Sequence, residues 1–240
     1  MFSLYYLYYI LGFVMIPGII LGIWAQTRVK TTFDKYKNEQ TKHGMPAQKV
    51  ARYMLDAGGC MNTKIQPIAG ELTDNYNPKT DTISLSQSVY DQATISAVGV
   101  TAHEIGHVFQ HQQGYGPIKL RNFLVPVMNV LGWFVWPLII IGLILEIAFS
   151  VTGADILIYI ALGFYALDTV FCLITLPIEL NASKRAYKML TSTGEMDLEE
   201  ANKMKEVLNA AAWTYVAALI TSVLSLLRLV LFIFAIKGKD

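Results

Sequence analysis

The sequence predicts a mainly α-helical membrane protein, with about four transmembrane helices and a small α+β domain on the cytoplasmic side. Of the 240 residues, 54% are hydrophobic and only 15% are charged, whereas soluble domains contain about 25% charged residues. The mean hydropathy is +0.42. Four segments are also long and apolar enough to cross a bilayer, which takes about 20 residues.

Composition excludes three classes of protein. The high apolar content is incompatible with a disordered chain. Two cysteines, Cys60 and Cys172, are too few for a disulfide scaffold. The net charge of +1 lacks the strong basic excess of a nucleic-acid-binding protein.

The first predicted span covers 2–27 and contains no charged residue. It lacks the basic start and the small-residue cleavage site of a signal peptide, so we expect it to remain as a membrane helix. The next segment, 28–121, is the predicted cytoplasmic domain. Its predicted elements are a helix over 45–57, strands over 65–72 and 82–85 with a turn at 75–78 between them, and a long helix over 94–113.

The second and third spans are predicted within 122–178, and the fourth covers 207–236. Asp168 and Arg228 are ionisable residues at membrane depth. They belong either to a transport pathway or proton relay, or, more simply, to an intramembrane pair or to side chains that reach an interface. A fourth span that crosses the membrane would put Lys237 and Lys239 on the side opposite to the other basic stretches, so a re-entrant or broken helix is the alternative there.

Residues 179–206 are predicted to form a cytoplasmic helical segment. Asp197 and Glu200 have the spacing of a capping box at a helix start. An apolar stripe follows, which is expected to pack against the other cytoplasmic domain. Its members are Leu198, Ala201, Met204, Leu208 and Ala211.

Basic residues predict the orientation of the chain in the membrane. Of 19 Lys and Arg residues, 11 lie within 28–121 and five within 184–205. The connection between the second and third spans has none. Because basic loops stay in the cytoplasm, both basic stretches are predicted on that side.

The long predicted helix contains an H-E-x-x-H motif, His103-Glu104-Ile105-Gly106-His107. Residues four apart share a helix face, so both imidazoles can bind one Zn²⁺. Glu104 is rotated by about 100° from His103, so it can reach a water molecule without being a ligand. The motif predicts the arrangement of a zinc metallopeptidase, in which the two imidazoles bind one catalytic zinc ion and Glu104 acts as general base. The strand over 82–85 is interpreted as an edge strand that could bind an extended peptide.

A third protein ligand is required. The preferred candidate is Glu179, which lies at the cytoplasmic end of the third span, on the same side as the histidine pair. Ser183 lies four residues on and could hydrogen-bond its carboxylate. The simpler alternative for Glu179 is an interfacial carboxylate at a helix end. His111 is a further candidate ligand, transition-state donor or supporting group, although three ligands on successive turns of one helix would spread over about 12 Å.

Other residues have weaker signals. Tyr115 and Arg185 could polarise a carbonyl or bind a substrate terminus, and a structural role explains them equally well. Cys60 and Cys172 are poor metal ligands, because neither has a partner at ligand spacing.

The chain resembles the bacterial YugP-type membrane zinc metallopeptidases over nearly its whole length. The resemblance is carried by AHEIGHVFQHQQGYGPIKLR at 102–121, which continues NFLVPV, and by ELNASKRA at 179–186. It implies a gluzincin-like, zincin-like domain, zinc metallopeptidase activity and a multi-pass protein of the bacterial plasma membrane. It also implies that His103, His107 and Glu179 are the ligand set.

Glu179 is similar to the third ligand of the HtpX-type membrane proteases, whose pattern is E-x-x-A-D. This chain departs from these patterns around the ligands. Ser183 stands where that pattern has Asp, and the family often has Asp at the positions of Asn181 and Asn77 and His at that of Asn75. The departures affect supporting residues and leave the ligand set intact.

The preferred hypothesis is an integral-membrane zinc metalloendopeptidase with a cytoplasmic-side active site. Its partners would be a protein or peptide substrate, including membrane-associated ones, and the lipid bilayer, with no nucleic acid. The alternative is a non-catalytic zinc-binding membrane scaffold or adaptor. A third hypothesis, a small transporter or channel, depends only on Asp168 and Arg228.

Overall fold

The computed structural model describes residues 11–147, 149, 153 and 155–237. A short 3₁₀ turn, Phe13–Met15, precedes the first α-helix. The α-helices are α1 (Ile16–Tyr36), α2 (Ala47–Ala57), α3 (Ile95–Gln112), α4 (Gly116–Ile147), α5 (Asp155–Ser192) and α6 (Leu198–Lys237). The strands are β1 (Lys64–Ile68), β2 (Asn75–Asn77) and β3 (Thr82–Ser86). The predicted fold class, mainly helical with a small α+β region, is confirmed.

Three helices in the described part of the chain are long and apolar enough to cross a membrane. They are Gly116–Leu145, Ile156–Ser192 and Leu198–Phe234. The predicted first span, 2–27, falls partly on residues 1–10, outside the described residues. The fourth apolar segment lies in one continuous helix, so the alternative of a broken or re-entrant helix is wrong.

The chain divides into two compact units. The first contains the described residues within 11–24, 120–176 and 215–237, and the second contains 25–119 and 177–214. In the first unit, Asp168 lines a cavity of about 280 Å³ with Asn129 and Trp136. Arg228 lines a smaller cavity of about 70 Å³ that also includes Trp136.

The three strands of the second unit form one sheet in the order β1-β3-β2. β3 pairs with β1 in parallel and with β2 in antiparallel. All five residues of β3 are buried. The interpretation of 82–85 as an edge strand is therefore wrong, since both of its edges are occupied, and the outer strands are β1 and β2.

The turn predicted at 75–78 is also displaced. Asn75–Asn77 is a strand, and the turn follows it at 78–81. Asp81 completes this tight hairpin with a φ of +48°, which aspartate tolerates better than most residues. These residues form a strand despite their turn propensity, because the main-chain groups of β2 hydrogen-bond to β3. β1 ends earlier than predicted, at Ile68, since Gly70 turns the chain with a φ of +108°.

The core of the second unit brings α2, α3, β3 and the start of α6 together. Its largest fully buried side chains include Met54, Ile83, Ile105 and Met204. The predicted capping box is confirmed: the Asp197 amide donates to Glu200 at 3.1 Å, and the Glu200 amide donates to Asp197 at 2.9 Å.

The predicted stripe is confirmed only in part. Ala201, Met204 and Leu208 are buried in the core and Ala211 is half-buried. Leu198 is 70% exposed, because it lies in the first turn of α6 and points away from the core.

Candidate metal centre

α3 carries the histidine motif and forms where the sequence predicts a helix. Thr94 begins it, since its Oγ1 accepts a hydrogen bond from the Ala97 amide at 3.3 Å. The helix is buried over most of its length, including Glu104, which is 9% exposed, and His107, which is 8% exposed. The motif therefore lies inside the second unit, where a charged group needs partners.

α5 approaches α3 closely beside the motif. A Cβ placed on Gly106 would lie 2.5 Å from the main-chain oxygen of Ala182. Glycine is required here because any side chain would collide with the backbone of α5. This contact brings Glu179, three residues before Ala182, within reach of the histidine pair.

The two imidazoles converge on one carboxylate oxygen. Nε2 of His103 lies 3.1 Å from Oε2 of Glu179, and Nε2 of His107 lies 3.4 Å from the same atom. One ligand atom from each residue fits within 4.8 Å of the others. The imidazole rings are nearly perpendicular, at 86°, with centroids 4.8 Å apart. The structure thus brings together the three residues that the sequence predicts as ligands.

The opposite nitrogen of each imidazole has its own oxygen partner. Nδ1 of His103 lies 3.1 Å from Oγ of Ser183, and Nδ1 of His107 lies 3.0 Å from Oε1 of Gln110. A proton held on Nδ1 leaves the lone pair of Nε2 directed at the common centre. Metal-binding histidines are usually oriented in this way, so the donor set of two imidazoles and one carboxylate fits a zinc ion.

Gln110 is a supporting residue that the sequence did not predict. Its side chain is fully buried. Besides contacting His107, it donates from Nε2 to the main-chain oxygen of Ile178 at 2.8 Å and to Oδ1 of Asn181 at 3.0 Å. It therefore connects one ligand on α3 with the segment of α5 that carries another. Its spacing of three residues from His107 was the available signal.

The charges around His107 and the burial of its ring have opposite effects on its pKa. Burial lowers the pKa of this imidazole, but the hydrogen bond to Glu179 and the negative charges of Glu104 and Glu179 raise it, so that the net pKa lies above its ordinary value. A site that stabilises positive charge at this position also suits a cation. Glu104 contributes to that field and is outside the group of three candidate ligands.

The remaining predicted residues take supporting positions. Ser183 contacts His103 rather than the Glu179 carboxylate, its predicted partner. Asn181 Oδ1 accepts from Gln110 and also from Nε of Arg185, at 2.7 Å. Arg185 further donates to Gln113 and lies 5.9 Å from the centre of the Tyr115 ring. These contacts favour the structural interpretation of Arg185 and Tyr115.

His111 lies outside the ligand group. Its ring contacts that of Tyr76 edge-on, with centroids 6.2 Å apart. Cys60 is also outside the ligand group, and its thiol donates to Oε1 of Gln112 at 2.9 Å. Among the described residues, the three converging side chains are the only group with metal-ligand spacing.

The chain belongs to a family of zinc metallopeptidases. The family is described as "Putative neutral zinc metallopeptidase", and its match covers residues 11–234. A curated relative is the "Putative membrane protease YugP" of Bacillus subtilis (strain 168). It is 39% identical over 228 residues, which make up 95% of this chain and 97% of the relative. No solved structure matches the chain significantly.

Proposed function

We propose that this chain is an integral-membrane zinc-dependent endopeptidase that hydrolyses peptide bonds at a cytoplasmic-side active site. The observation that carries the proposal is the convergence of both Nε2 atoms on Oε2 of Glu179, at 3.1 and 3.4 Å. Family membership and a relative described as a membrane protease support it.

His103, His107 and Glu179 would hold the metal ion. When bound, zinc polarises a substrate carbonyl and acidifies water. Ser183 and Gln110 keep the two imidazoles in the orientation and tautomer that a metal ligand needs.

Glu104 is proposed as the general base. It accepts a proton as the water oxygen bonds to the scissile carbonyl carbon. It then returns that proton to the amide nitrogen as the C–N bond breaks, and a carboxylic acid and an amine result. Its position supports this role, because its charge acts on His107 while its side chain is outside the ligand group.

The corrected sheet order changes where an extended substrate would bind. β2 is an outer strand and packs against α3, which carries the histidine motif. Strand addition at β2 would therefore place a peptide along the motif helix. The same role cannot be given to β3, which has strands on both sides.

The distribution of basic residues supports a cytoplasmic site. Residues 28–121 and 184–205 contain 16 of the 19 Lys and Arg residues. The first segment includes His103 and His107, and the second begins five residues after Glu179. We therefore propose that the chain is a multi-pass protein of the bacterial plasma membrane.

A matched pair of carboxylate variants tests the function. Glu104→Gln should retain zinc and lose cleavage of unfolded casein in detergent by about 10²–10⁴-fold, the usual contribution of a general base. Glu179→Gln should lose bound zinc itself, as measured by metal analysis. A chelator should abolish wild-type cleavage, and added zinc should restore it.

Two results would contradict the proposal. Undiminished cleavage by Glu104→Gln would exclude its role as base. A wild-type protein that retains zinc and cleaves nothing would favour the scaffold hypothesis instead.

A further inference from the structure

A cleft of about 350 Å³ lies at the C-terminal end of α3, beside the β2–β3 hairpin. Tyr76 and Asp81 line it from the hairpin, Val108 and His111 from α3, and the loop from Gly59 to Thr63 closes another side. The cleft is large enough for a long side chain, and nothing in the proposed metal centre uses it.

The cleft continues the helix face that carries the proposed general base. Glu104, Val108 and His111 are spaced i, i+4 and i+7, so they follow one another along one side of α3. Seven helical residues advance by about 10 Å. An extended peptide advances about 3.3 Å per residue. A peptide added beside β2 and running along α3 would thus reach the cleft about three residues from the bond being cut.

Asp81 is the one charged Asp, Glu, Lys or Arg side chain among the described residues that line the cleft. Its Oδ1 accepts hydrogen bonds from two neutral hydroxyls, Oγ1 of Thr63 at 3.0 Å and the Tyr76 hydroxyl at 3.1 Å. The carboxylate has no salt-bridge partner in the part of the chain that the structure describes.

Arg52, whose guanidinium contacts two residues of the loop that lines the cleft, is already engaged. Arg52 pairs with Asp56 at 2.8 Å and donates to the main-chain oxygens of Cys60 and Thr63, both at 2.9 Å. The negative charge of Asp81 is therefore left for a ligand to balance. Apolar walls formed by Met61, Pro78 and Val108 suit the methylene stem of a lysine or arginine.

We propose that this cleft is a substrate subsite for a basic side chain, with Asp81 as the specificity-determining residue. This inference rests on the proposed peptidase function. It names the substrate class of that site: an extended peptide with lysine or arginine about three residues from the scissile bond.

Binding to Glu104→Gln protein tests the subsite without cleavage. The probes are fluorescent peptides of one apolar sequence, in which a single lysine occupies successive positions, and matched peptides with norleucine instead. At one position lysine should bind about tenfold more tightly, as expected for a charge-assisted contact.

A second change, Asp81→Asn, should abolish that preference. Asparagine tolerates the positive φ of this position, so the hairpin should be kept. Glu71→Gln is the matched control, because it removes a carboxylate from an exposed position outside the cleft and should leave the preference unchanged.

Equal binding of lysine and norleucine peptides at every position would overturn the subsite, and so would a preference that survives Asp81→Asn. Wild-type cleavage separates this proposal from the function on which it rests. Chelator-sensitive cleavage without any lysine preference overturns the subsite alone. Lysine binding that depends on Asp81, without cleavage by the wild type, contradicts the peptidase function alone.

Discussion

Gln110 shows how individual side chains prepare the candidate metal centre. Both polar atoms of its side-chain amide have partners: Oε1 lies beside Nδ1 of His107, and Nε2 donates to Ile178 and Asn181 on α5. Since the amide is fully buried, water cannot replace these contacts. The orientation of His107 is therefore coupled to the position of the helix that carries Glu179.

Replacement of Gln110 by alanine should weaken zinc binding by about 10–100-fold, the usual effect of losing a group that orients a ligand. Competition with a chromogenic chelator measures this directly. Gln48→Ala is the control, since Gln48 contacts Asp91 on the surface. Zinc affinity equal to that of the wild type would exclude an orienting role for Gln110.

The histidine pair and Glu104 could be predicted from the sequence because their geometry follows from one helix. Glu179 could be predicted from its position at the end of a span. Gln110 and the contact between Ser183 and His103 depend on how α3 and α5 pack, which local spacing does not determine. The central position of β3 was missed for the same reason: strand order depends on tertiary pairing.

At the scale of elements, the contact between α3 and α5 positions the centre. Gly106 allows the two backbones to touch at Ala182. Buried side chains on α6 pack against α3 in a similar way, since a Cβ on Gly99 would lie 2.7 Å from Cγ of Met204. Small residues on one helix thus set the distance to two neighbours.

Gly106→Ala should destabilise the protein by about 1–3 kcal/mol through overpacking. It should also reduce bound zinc, because α5 must move away from α3. Thermal unfolding in detergent and metal analysis provide the two measurements. Gly116→Ala is the matched control, since a Cβ there meets nothing within 4 Å. Unchanged stability and zinc content in Gly106→Ala would show that the contact does not position Glu179.

At the scale of the whole molecule, basic segments alternate with long apolar helices along the sequence. The three candidate spans among the described residues are continuous helices. The connection between α4 and α5 contains no basic residue. The opposite ends of these two helices, by contrast, lie in basic segments. This asymmetry predicts the side of the membrane on which the centre lies.

Single cysteines in a variant without Cys60 and Cys172 test that orientation. A membrane-impermeant maleimide applied to intact cells should label Phe149→Cys, an exposed position in the connection without basic residues. It should label Ser192→Cys, near the end of α5, only after the cells are opened. The reverse pattern would place the metal centre outside the cell.

The close approach at Gly106 also limits which changes of chain length the protein can accept. One residue inserted between Glu179 and Ala182 would turn the carboxylate by about 100° relative to the contact and shift it by about 1.5 Å. The same insertion in the turn after Ser192 leaves that rotational relationship untouched. Among related sequences, length differences should therefore be found in the turns, while the three-residue step from Glu179 to Ala182 stays constant.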